Sequence, residues 1–401
     1  MSKVYIVAAK RTAVGSFLGS LSNVSPAEFG AHVVKRIMAD TKLDPKVVDE
    51  VISGNILPAG QGQGIGRQVV IKAGFPVETP GYAVNMVCGS GMKAIMDAYL
   101  KIKAGWANVI VAGGTESMSQ ALHLLSAKGR SGYKMGNFEV IDHMIYDALT
   151  DAYDGIHMGI TAENIADKHH ITREEQDAFA YNSQAKAIKS VDEGRFNDEV
   201  VGIEVKVGKE VIMFDKDEYP NRKTSLEKLA TLRPAFKKDG SVTAGNASGI
   251  NDGAAYVMLA SEEAVKKHGL IPLVEVVGVD QAGVDPKVMG LGPVGAVKNV
   301  LKRTGLKLDE IGLLELNEAF AAQSLGVVKE LSADLGVNYQ SILDKTNVNG
   351  GAIAIGHPVG ASGARITVTL IHEMKKRGTN LGLASLCIGG GMGTAIVLKN
   401  V

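Results

Sequence analysis

The chain has 401 residues, enough for two or three structural units and a large buried core. Its 43 Lys and Arg residues balance its 43 Asp and Glu residues, so no net charge attracts nucleic acid or an anionic membrane over long range. Neither is an expected partner. Glycine is enriched, with 48 residues or about 12% against a usual share of about 7%, which indicates many sharp turns and close backbone approaches.

The cysteine count and the first residues indicate a cytoplasmic protein. The two cysteines, Cys88 and Cys387, lie too far apart for CxxC motifs, zinc ribbons or a disulfide framework, and no metal site is expected. The chain starts in a strand-like segment rather than in a secretory or transit presequence. The window 381–397 is uncharged but rich in glycine, and it is predicted to form two buried strands around a turn.

Short apolar runs alternate with helical patterns over the first 120 residues. The runs at 4–8, 50–53, 82–87 and 108–112 predict strands. Apolar residues at helical spacing over 92–100 predict an amphipathic helix between the third and the fourth strand. This alternation is typical of an α/β fold.

The last third of the chain repeats this plan. Strands are predicted at 273–279, 311–316, 381–386 and 394–398, with a helix after Ser362. Segments 49–52 and 112–114 are similar to 309–312 and 388–390, respectively. Two copies of one unit, with two mixed sheets sharing a core, are therefore predicted.

The middle of the chain differs from both copies. It has charged helices, such as 172–190 with a Thr172 to Glu175 capping box, and polar connections. The apolar run 254–259 is predicted to complete the first sheet. The predicted domains are 1–119 with 249–270 for the N-terminal half, 120–248 for an inserted domain, and 271–401 for the C-terminal half.

Cys88 is the first candidate for chemistry. It follows the strand predicted at 82–87, which looks buried, and precedes Gly89-Ser90-Gly91 and the predicted helix. A helix N-terminus favours the thiolate and lowers the thiol pKa, and the glycines let a substrate reach the sulfur. These features suit a covalent nucleophile, although a buried structural cysteine is the alternative.

Three further residues are predicted to lie near this cysteine. His357 is held on a loop of glycines and Pro358, as suits the base that accepts a thiol proton, although a lone histidine is more often structural. Cys387 ends one predicted strand and Asn317 follows another, where Asn is also a common N-cap. Because ligands bind at the carboxyl ends of strands in open α/β sheets, we expect these groups to converge.

Four blocks of sequence together resemble the signatures of the thiolase family. They are Asn85-Met86-Val87-Cys88-Gly89-Ser90-Gly91, Asn317-Glu318-Ala319-Phe320, the stretch from Asn349-Gly350-Gly351 to Gly356-His357-Pro358, and Cys387-Ile388-Gly389-Gly390-Gly391. The resemblance covers the whole chain. It implies an α/β fold of duplicated βαβαβαββ halves in a five-layered core, with an inserted loop domain over the active site.

The resemblance also implies a ping-pong reaction. Cys88, deprotonated by His357, would attack acetyl-CoA and become acetylated. Cys387 would then remove a proton from a second acetyl-CoA, and the carbanion would attack the acetyl group to give acetoacetyl-CoA and CoA. By the same resemblance His357 and a water held by Asn317 stabilise the enolate, and the N–H groups of Cys88 and Gly389 stabilise the tetrahedral intermediate. Coenzyme A esters enter as substrates, and no cofactor is implied.

Substrate contacts are implied at further positions. His157, Met158 and Met289 resemble the acetyl-CoA acetyltransferase branch, which has a short acyl pocket. Further substrate or CoA contacts are implied for Ser248, Phe320 and Arg222, the last one position after the place of the family arginine. A homotetramer is also implied, with 122–141 as a candidate contact.

Three other functions are open to this sequence. A degradative 3-ketoacyl-CoA thiolase of broader specificity would share every catalytic residue. A decarboxylating ketoacyl synthase normally has histidine where Cys387 stands. A noncatalytic acyl-CoA carrier would bind CoA esters without acylation of Cys88.

Overall fold

The computed structural model describes residues 3–401, so the first two residues of the predicted segment 1–119 lie outside it. Its strands are β1 (Val4–Thr12), β2 (Gly15–Ser16), β3 (Glu50–Gly54), β4 (Gly81–Val84), β5 (Val109–Ser117), β6 (His123–Leu125), β7 (Val140–Asp142), β8 (Val200–Val201), β9 (Ile203–Val207), β10 (Glu210–Phe214), β11 (Asn251–Ser261), β12 (Val274–Gly283), β13 (Leu313–Leu316), β14 (Leu381–Ile388) and β15 (Met392–Asn400). Its α-helices are α1 (Pro26–Thr41), α2 (Ile65–Ala73), α3 (Ser90–Lys103), α4 (Lys128–Ser131), α5 (Met158–His169), α6 (Arg173–Asp192), α7 (Leu226–Ala230), α8 (Glu262–His268), α9 (Gly292–Thr304), α10 (Ala321–Leu335), α11 (Tyr339–Asp344), α12 (Ala352–Ile355) and α13 (Ser362–Arg377). Short 3₁₀ helices cover Pro45–Val47, Pro286–Leu291 and Leu308–Glu310, and a π-helical turn covers Met144–Ala148.

The two halves share one topology, as the repeat in the sequence predicted. The first runs β1, α1, β3, α2, β4, α3, β5 and β11, with sheet order β1-β11-β5-β3-β4. The second runs β12, α9, β13, α10, α13, β14 and β15, with sheet order β13-β14-β15-β12. Its third strand is reduced to a single parallel bridge between Leu314 and Thr346. The duplicated α/β fold is confirmed.

The prediction of two sheets is wrong, because hydrogen bonds join them into one. Tyr5 and Ile6 of β1 pair with Glu275 and Val274 of β12, so one ladder runs through both halves. Each of these strands is the last strand of its own sheet, and its free N–H and C=O groups need partners. A short pairing of the two edges supplies them.

Two helices lie between the sheets. Met92 and Ile95 of α3 pack in one buried cluster with Ile366 and Leu370 of α13 and with strands of both halves. Helices α1 and α2 cover the outer face of the first sheet, and α9 and α10 cover that of the second. The result is a core of five layers, helix, sheet, helix, sheet, helix.

The two central helices begin in contact. A β-carbon at Gly363 in α13 would overlap the backbone nitrogen of Met92 in α3, so only glycine permits this approach. Cys88 immediately precedes α3, and His357 precedes α13 by one short loop. The close packing of the helix starts therefore brings these two residues to one place.

Strand β4 differs from its prediction. It spans only Gly81–Val84, lies at the edge of the sheet beside β3 and is partly exposed. Its apolar residues suggested a buried strand, but the chain turns at Asn85 to build the segment around Cys88.

The inserted region contains α5, α6 and the β9–β10 hairpin. The predicted capping box is confirmed, with Thr172 as the N-cap of α6 and Glu175 closing the box. The two strands predicted within 381–397 are also confirmed as β14 and β15. Among the described helices, none is both long and apolar enough to cross a membrane.

Candidate active site

An apolar cleft of about 490 Å³ lies where the two halves meet the inserted region. Cys88, His357 and Cys387 all line it. Both cysteines are free thiols. The convergence predicted from strand ends and motifs therefore holds for these three residues.

A strained turn presents Cys88 to the cleft. Val87 has φ of 46°, an unusual conformation for a β-branched residue. The turn is fixed by Ser90, whose hydroxyl donates to the carbonyl of Val87 at 2.6 Å and accepts from the backbone N–H of Met86 at 2.9 Å. Such strain persists only where surrounding bonds impose it, and it is concentrated at functional sites.

The expected low pKa of Cys88 is wrong. Burial raises the pKa of this thiol to about 11, because a thiolate would lose its hydration. The backbone N–H groups of Gly389 and of Cys88 itself act in the opposite direction but more weakly. The thiol is therefore protonated at neutral pH, and the helix N-terminus does not outweigh desolvation.

The N–H of Gly389 thus lies beside the Cys88 sulfur, on the turn that follows β14. A β-carbon at Gly389 would contact Val87 and Met158, and one at Gly89 would overlap Ile388. Side chains of both halves thus pack closely around these two glycines, and a side chain at Gly89 would not fit. Two N–H donors, of Cys88 and Gly389, consequently face one sulfur.

Hydrogen bonds fix the tautomer of His357. The hydroxyl of Ser362 donates its only proton to the carbonyl of Pro358 at 2.9 Å. It must therefore accept at its second contact, 2.6 Å from Nδ1 of His357. Nδ1 carries the proton, and Nε2 has a free lone pair. Burial, aided by the charge of Arg365, lowers the pKa of His357 to about 3, so the ring is neutral.

Cys387 and Asn317 are both buried. Burial and then the nearby charge of Cys88 raise the pKa of the Cys387 thiol. Asn317 follows β13, and its backbone N–H donates to Ser385 on β14 at 3.0 Å. Neither polar atom of the Asn317 side chain has a hydrogen-bond partner among residues 3–401. Buried amides are normally satisfied, so this exception calls for a functional explanation.

The implied acyl-pocket residues lie together. His157, Met158, Ser248, Met289 and Phe320 all line the cleft that holds the two cysteines. His157 is neutral because burial lowers its pKa, and its Nδ1 accepts from the backbone N–H of Gly159 at 3.0 Å, which caps α5.

One aromatic residue that lines the cleft was not predicted from the sequence. Phe236 stacks on His157 with ring centroids 4.7 Å apart and meets Phe320 edge-on at 6.1 Å. It follows Pro234 and Ala235 in a segment without helix or strand. No periodicity marked this residue, and only the folded loop brings it to the cleft.

Arg222 does not reach this cleft. It is exposed, forms an ion pair with Asp192 and borders a second cavity, also of about 490 Å³. That cavity shares Ser16, Tyr219 and Ala244 with the catalytic cleft, so the two are adjacent.

A five-layered α/β fold with a thiol and a neutral imidazole in one cleft is typical of an acyl-transferring enzyme. Residues 4–263 match the family model described as Thiolase, N-terminal domain, and residues 270–400 match Thiolase, C-terminal domain. The chain belongs to the thiolase family.

Similar proteins cover its full length. The acetyl-CoA acetyltransferase of Escherichia coli is 50% identical over 401 residues, with 100% of both chains covered. That of Pseudomonas aeruginosa is 52% identical over 399 residues, with 99% of each covered. The crystal structure of the Bacillus anthracis acetyl-CoA acetyltransferase has a TM-score of 0.95 at 45% identity, covering 100% of this chain and 99% of that one. The crystal structure of human mitochondrial 3-ketoacyl-CoA thiolase has a TM-score of 0.94 at 43% identity, with the same coverage.

Proposed function

We propose that this thiolase is an acetyl-CoA C-acetyltransferase that reversibly converts two molecules of acetyl-CoA into acetoacetyl-CoA and CoA. The observation that carries this proposal is the convergence of Cys88, Cys387 and the neutral imidazole of His357 on one apolar cleft. The names of relatives about 50% identical over the full length support the same activity.

In the first half-reaction, Nε2 of His357 accepts the proton of Cys88 as the sulfur attacks the acetyl carbonyl. Because the thiol pKa is near 11, a free thiolate does not accumulate, and proton transfer accompanies bond formation. The N–H groups of Cys88 and Gly389 stabilise the oxyanion. The sulfur of CoA leaves as a thiol, because it takes the proton of Cys387. Cys387 is then a thiolate and can act as a base in the next step.

In the second half-reaction, the thiolate of Cys387 removes a proton from the methyl group of the second acetyl-CoA. Acetylated Cys88 cannot carry the negative charge that would oppose ionisation of Cys387. The enolate attacks acetyl-Cys88, and the imidazolium of His357 returns its proton to the Cys88 sulfur. All protons are then restored, and no cofactor is needed.

Asn317 and His357 are assigned to the enolate oxygen. The buried amide of Asn317 is free to hold a water or the substrate oxygen, because neither of its polar atoms is bonded within residues 3–401. Preorganised donors of this kind, already desolvated before reaction, stabilise developing charge strongly.

The cleft walls favour a short acyl group. Met158, Met289 and the stacked pair of His157 and Phe236 border the space near the cysteines. A degradative 3-ketoacyl-CoA thiolase is the second candidate, because a solved structure with that name is 43% identical. The thiolysis rate of 3-ketoacyl-CoA substrates of increasing length decides between them, and a fall beyond four carbons supports the first.

Coenzyme A is assigned to these two adjacent cavities. Ser248 borders the catalytic cleft, where the pantetheine would lie, and Arg222 with Lys223 borders the outer cavity, where the nucleotide phosphate would lie. Arg222 would have to exchange its ion pair with Asp192 for the phosphate.

A homotetramer and a cytoplasmic location complete the proposal. Apolar side chains are exposed along one segment, namely Leu122, Leu125, Tyr133, Met135, Phe138, Val140, Ile145 and Tyr146. A contiguous exposed apolar surface marks an interaction site, and a second copy of the chain would cover it. The free thiols of Cys88 and Cys387 suit a reducing compartment.

The test is the intact mass of the protein after mixing with acetyl-CoA, with acetoacetyl-CoA thiolysis assayed in parallel. We expect a single acetyl adduct that is absent in Cys88→Ala. A folded protein that binds CoA but forms no adduct and shows no turnover would instead support an acyl-CoA carrier.

A further inference from the structure

The nucleophile and its base come from different halves of the chain. Cys88 precedes α3 in the first half, whereas His357 lies on the loop 356–361 before α13 in the second. Their separation therefore depends on how this loop, here called the histidine loop, is held against the first half.

Asn251 forms one such connection. It is the first residue of β11 and is fully buried. Its Oδ1 accepts the backbone N–H of His357 at 2.8 Å, and its Nδ2 donates to the carbonyl of Gly15 at 3.0 Å. The main chain of His357 is thus bonded directly to the first half.

Glu116 on β5 forms the second connection. Its Oε2 accepts the backbone N–H of Gly360 in the histidine loop at 3.1 Å and that of Ile56 at 2.8 Å. Its Oε1 accepts the Asn55 side-chain amide at 2.9 Å and the backbone N–H of Leu57 at 3.3 Å. This fully buried side chain therefore joins the histidine loop to the loop after β3.

The two connections lie side by side. Strands β5 and β11 are adjacent and antiparallel, with Glu116 opposite Gly253, two residues after Asn251. The histidine loop crosses both strands in close contact, since a β-carbon at Gly114 would overlap the carbonyl oxygen of Gly360. The N–H groups of His357 and Gly360, three residues apart, are thus held by acceptors on the neighbouring strands β11 and β5.

We propose that Asn251 and Glu116 are positioning residues, which hold the histidine loop of the second half on the first half and so set the place of His357 relative to Cys88. This inference rests on the catalytic roles proposed for His357 and Cys88. Neither positioning residue lines the catalytic cleft, so their loss should slow the chemical steps without weakening substrate binding.

Glu116→Ala and Asn251→Ala test the two connections separately. We expect each to lower kcat for acetoacetyl-CoA thiolysis about 10- to 100-fold, because small displacements of reacting groups are costly, with KM within about threefold of wild type. The single-turnover rate of Cys88 acetylation should fall by the same factor. Because both variants release one loop, the loss in the double variant should be smaller than the product of the single losses.

Glu116→Gln is the conservative variant. The amide NH₂ of the new Gln can occupy the place of Oε1 and donate to Asn55. For this, the Asn55 amide rotates and presents its Oδ1, which has no hydrogen-bond partner among residues 3–401. The Gln oxygen then still accepts from Gly360. Two bonds are lost, the longest one from Leu57 and the one that Asn55 donates to the carbonyl of Thr115, and we expect kcat within about fivefold of wild type.

Glu50→Ala is the matched control. Glu50 is a buried carboxylate of the same half, but it pairs with Lys101 and has no contact with the histidine loop. It should lower the melting temperature and leave kcat unchanged. If Glu116→Ala fails to fold, Asn251→Ala and Glu116→Gln still test the proposal.

The positioning role would be overturned if Glu116→Ala and Asn251→Ala had the same kcat as the control Glu50→Ala. It would also be overturned if the loss of kcat in the double variant equalled the product of the two single losses. His357→Ala and Cys88→Ala are measured beside them. Full activity in either would instead overturn the proposed catalytic roles, and with them this inference.

Discussion

Ser362 offers a direct test of the proposed role of His357 as a base. The Ser362→Ala substitution removes the hydroxyl that accepts the Nδ1 proton of His357 at 2.6 Å. Since Ser362 and His357 are both buried, no bulk solvent replaces the lost acceptor. No hydrogen bond then holds the imidazole proton on Nδ1. The tautomer with a free lone pair on Nε2 is therefore no longer fixed.

The size of the effect follows from this bond. Leaving a buried donor without a partner costs about 1 to 3 kcal/mol. If that cost falls on the reactive tautomer, kcat decreases by a factor of about 5 to 150. Substrate contacts are unchanged, so KM for acetoacetyl-CoA should stay within about twofold.

Thr367→Val is the control for this experiment. Thr367 is buried in the same helix, and its hydroxyl donates to the carbonyl of Gly363 at 2.8 Å without touching His357. Steady-state thiolysis and urea unfolding are measured for both variants. A kcat for Ser362→Ala no lower than that for Thr367→Val would refute the assignment of the tautomer to Ser362.

Other consequences of the structure can be measured independently. Because the Cys88 thiol has a pKa near 11, its alkylation by iodoacetamide should accelerate about tenfold per pH unit from pH 7 to 9, and a plateau near pH 7 would contradict the assignment. Gly159→Ala should lower kcat/KM for acetoacetyl-CoA about tenfold and destabilise the fold by about 1 to 3 kcal/mol, because the new β-carbon would overlap the ring of Phe236. Unaltered kinetics would argue against a rigid cleft wall at Phe236. Arg11→Met should cost about 3 to 5 kcal/mol in urea unfolding, because it leaves the buried carboxylates of Glu199 and Asp217 without their cation.

Local sequence patterns were sufficient to find three residues that the structure brings together. Cys88 and Cys387 stood out because each lies beside a predicted strand and a glycine-rich turn, and His357 because glycines and Pro358 surround it. These are short-range features, and the structure places all three in one cleft. The repeat of strands and helices likewise predicted the duplicated fold, since periodicity depends only on neighbouring residues.

Features that depend on distant residues were not predictable in the same way. The pKa of Cys88 was expected to be low from its place before a helix, yet it is raised because parts of the chain far away in sequence enclose the sulfur. Phe236 had no periodic pattern around it. The pairing of β1 with β12 also escaped prediction, because two edge strands more than 260 positions apart meet only after both halves have folded.

The raised thiol pKa and the neutral imidazole have one physical cause and one consequence for the proposed chemistry. Both arise from burial in an apolar cleft, which disfavours every charged form. The same desolvation strengthens the donors that are proposed to stabilise charge in the transition state, namely the N–H groups of Cys88 and Gly389 and the unpaired amide of Asn317. In the proposed mechanism the site stays uncharged while it is empty, and Cys88 loses its proton only as its sulfur attacks the carbonyl of acetyl-CoA. The proposed nucleophile is thereby kept from competing electrophiles until its substrate is bound.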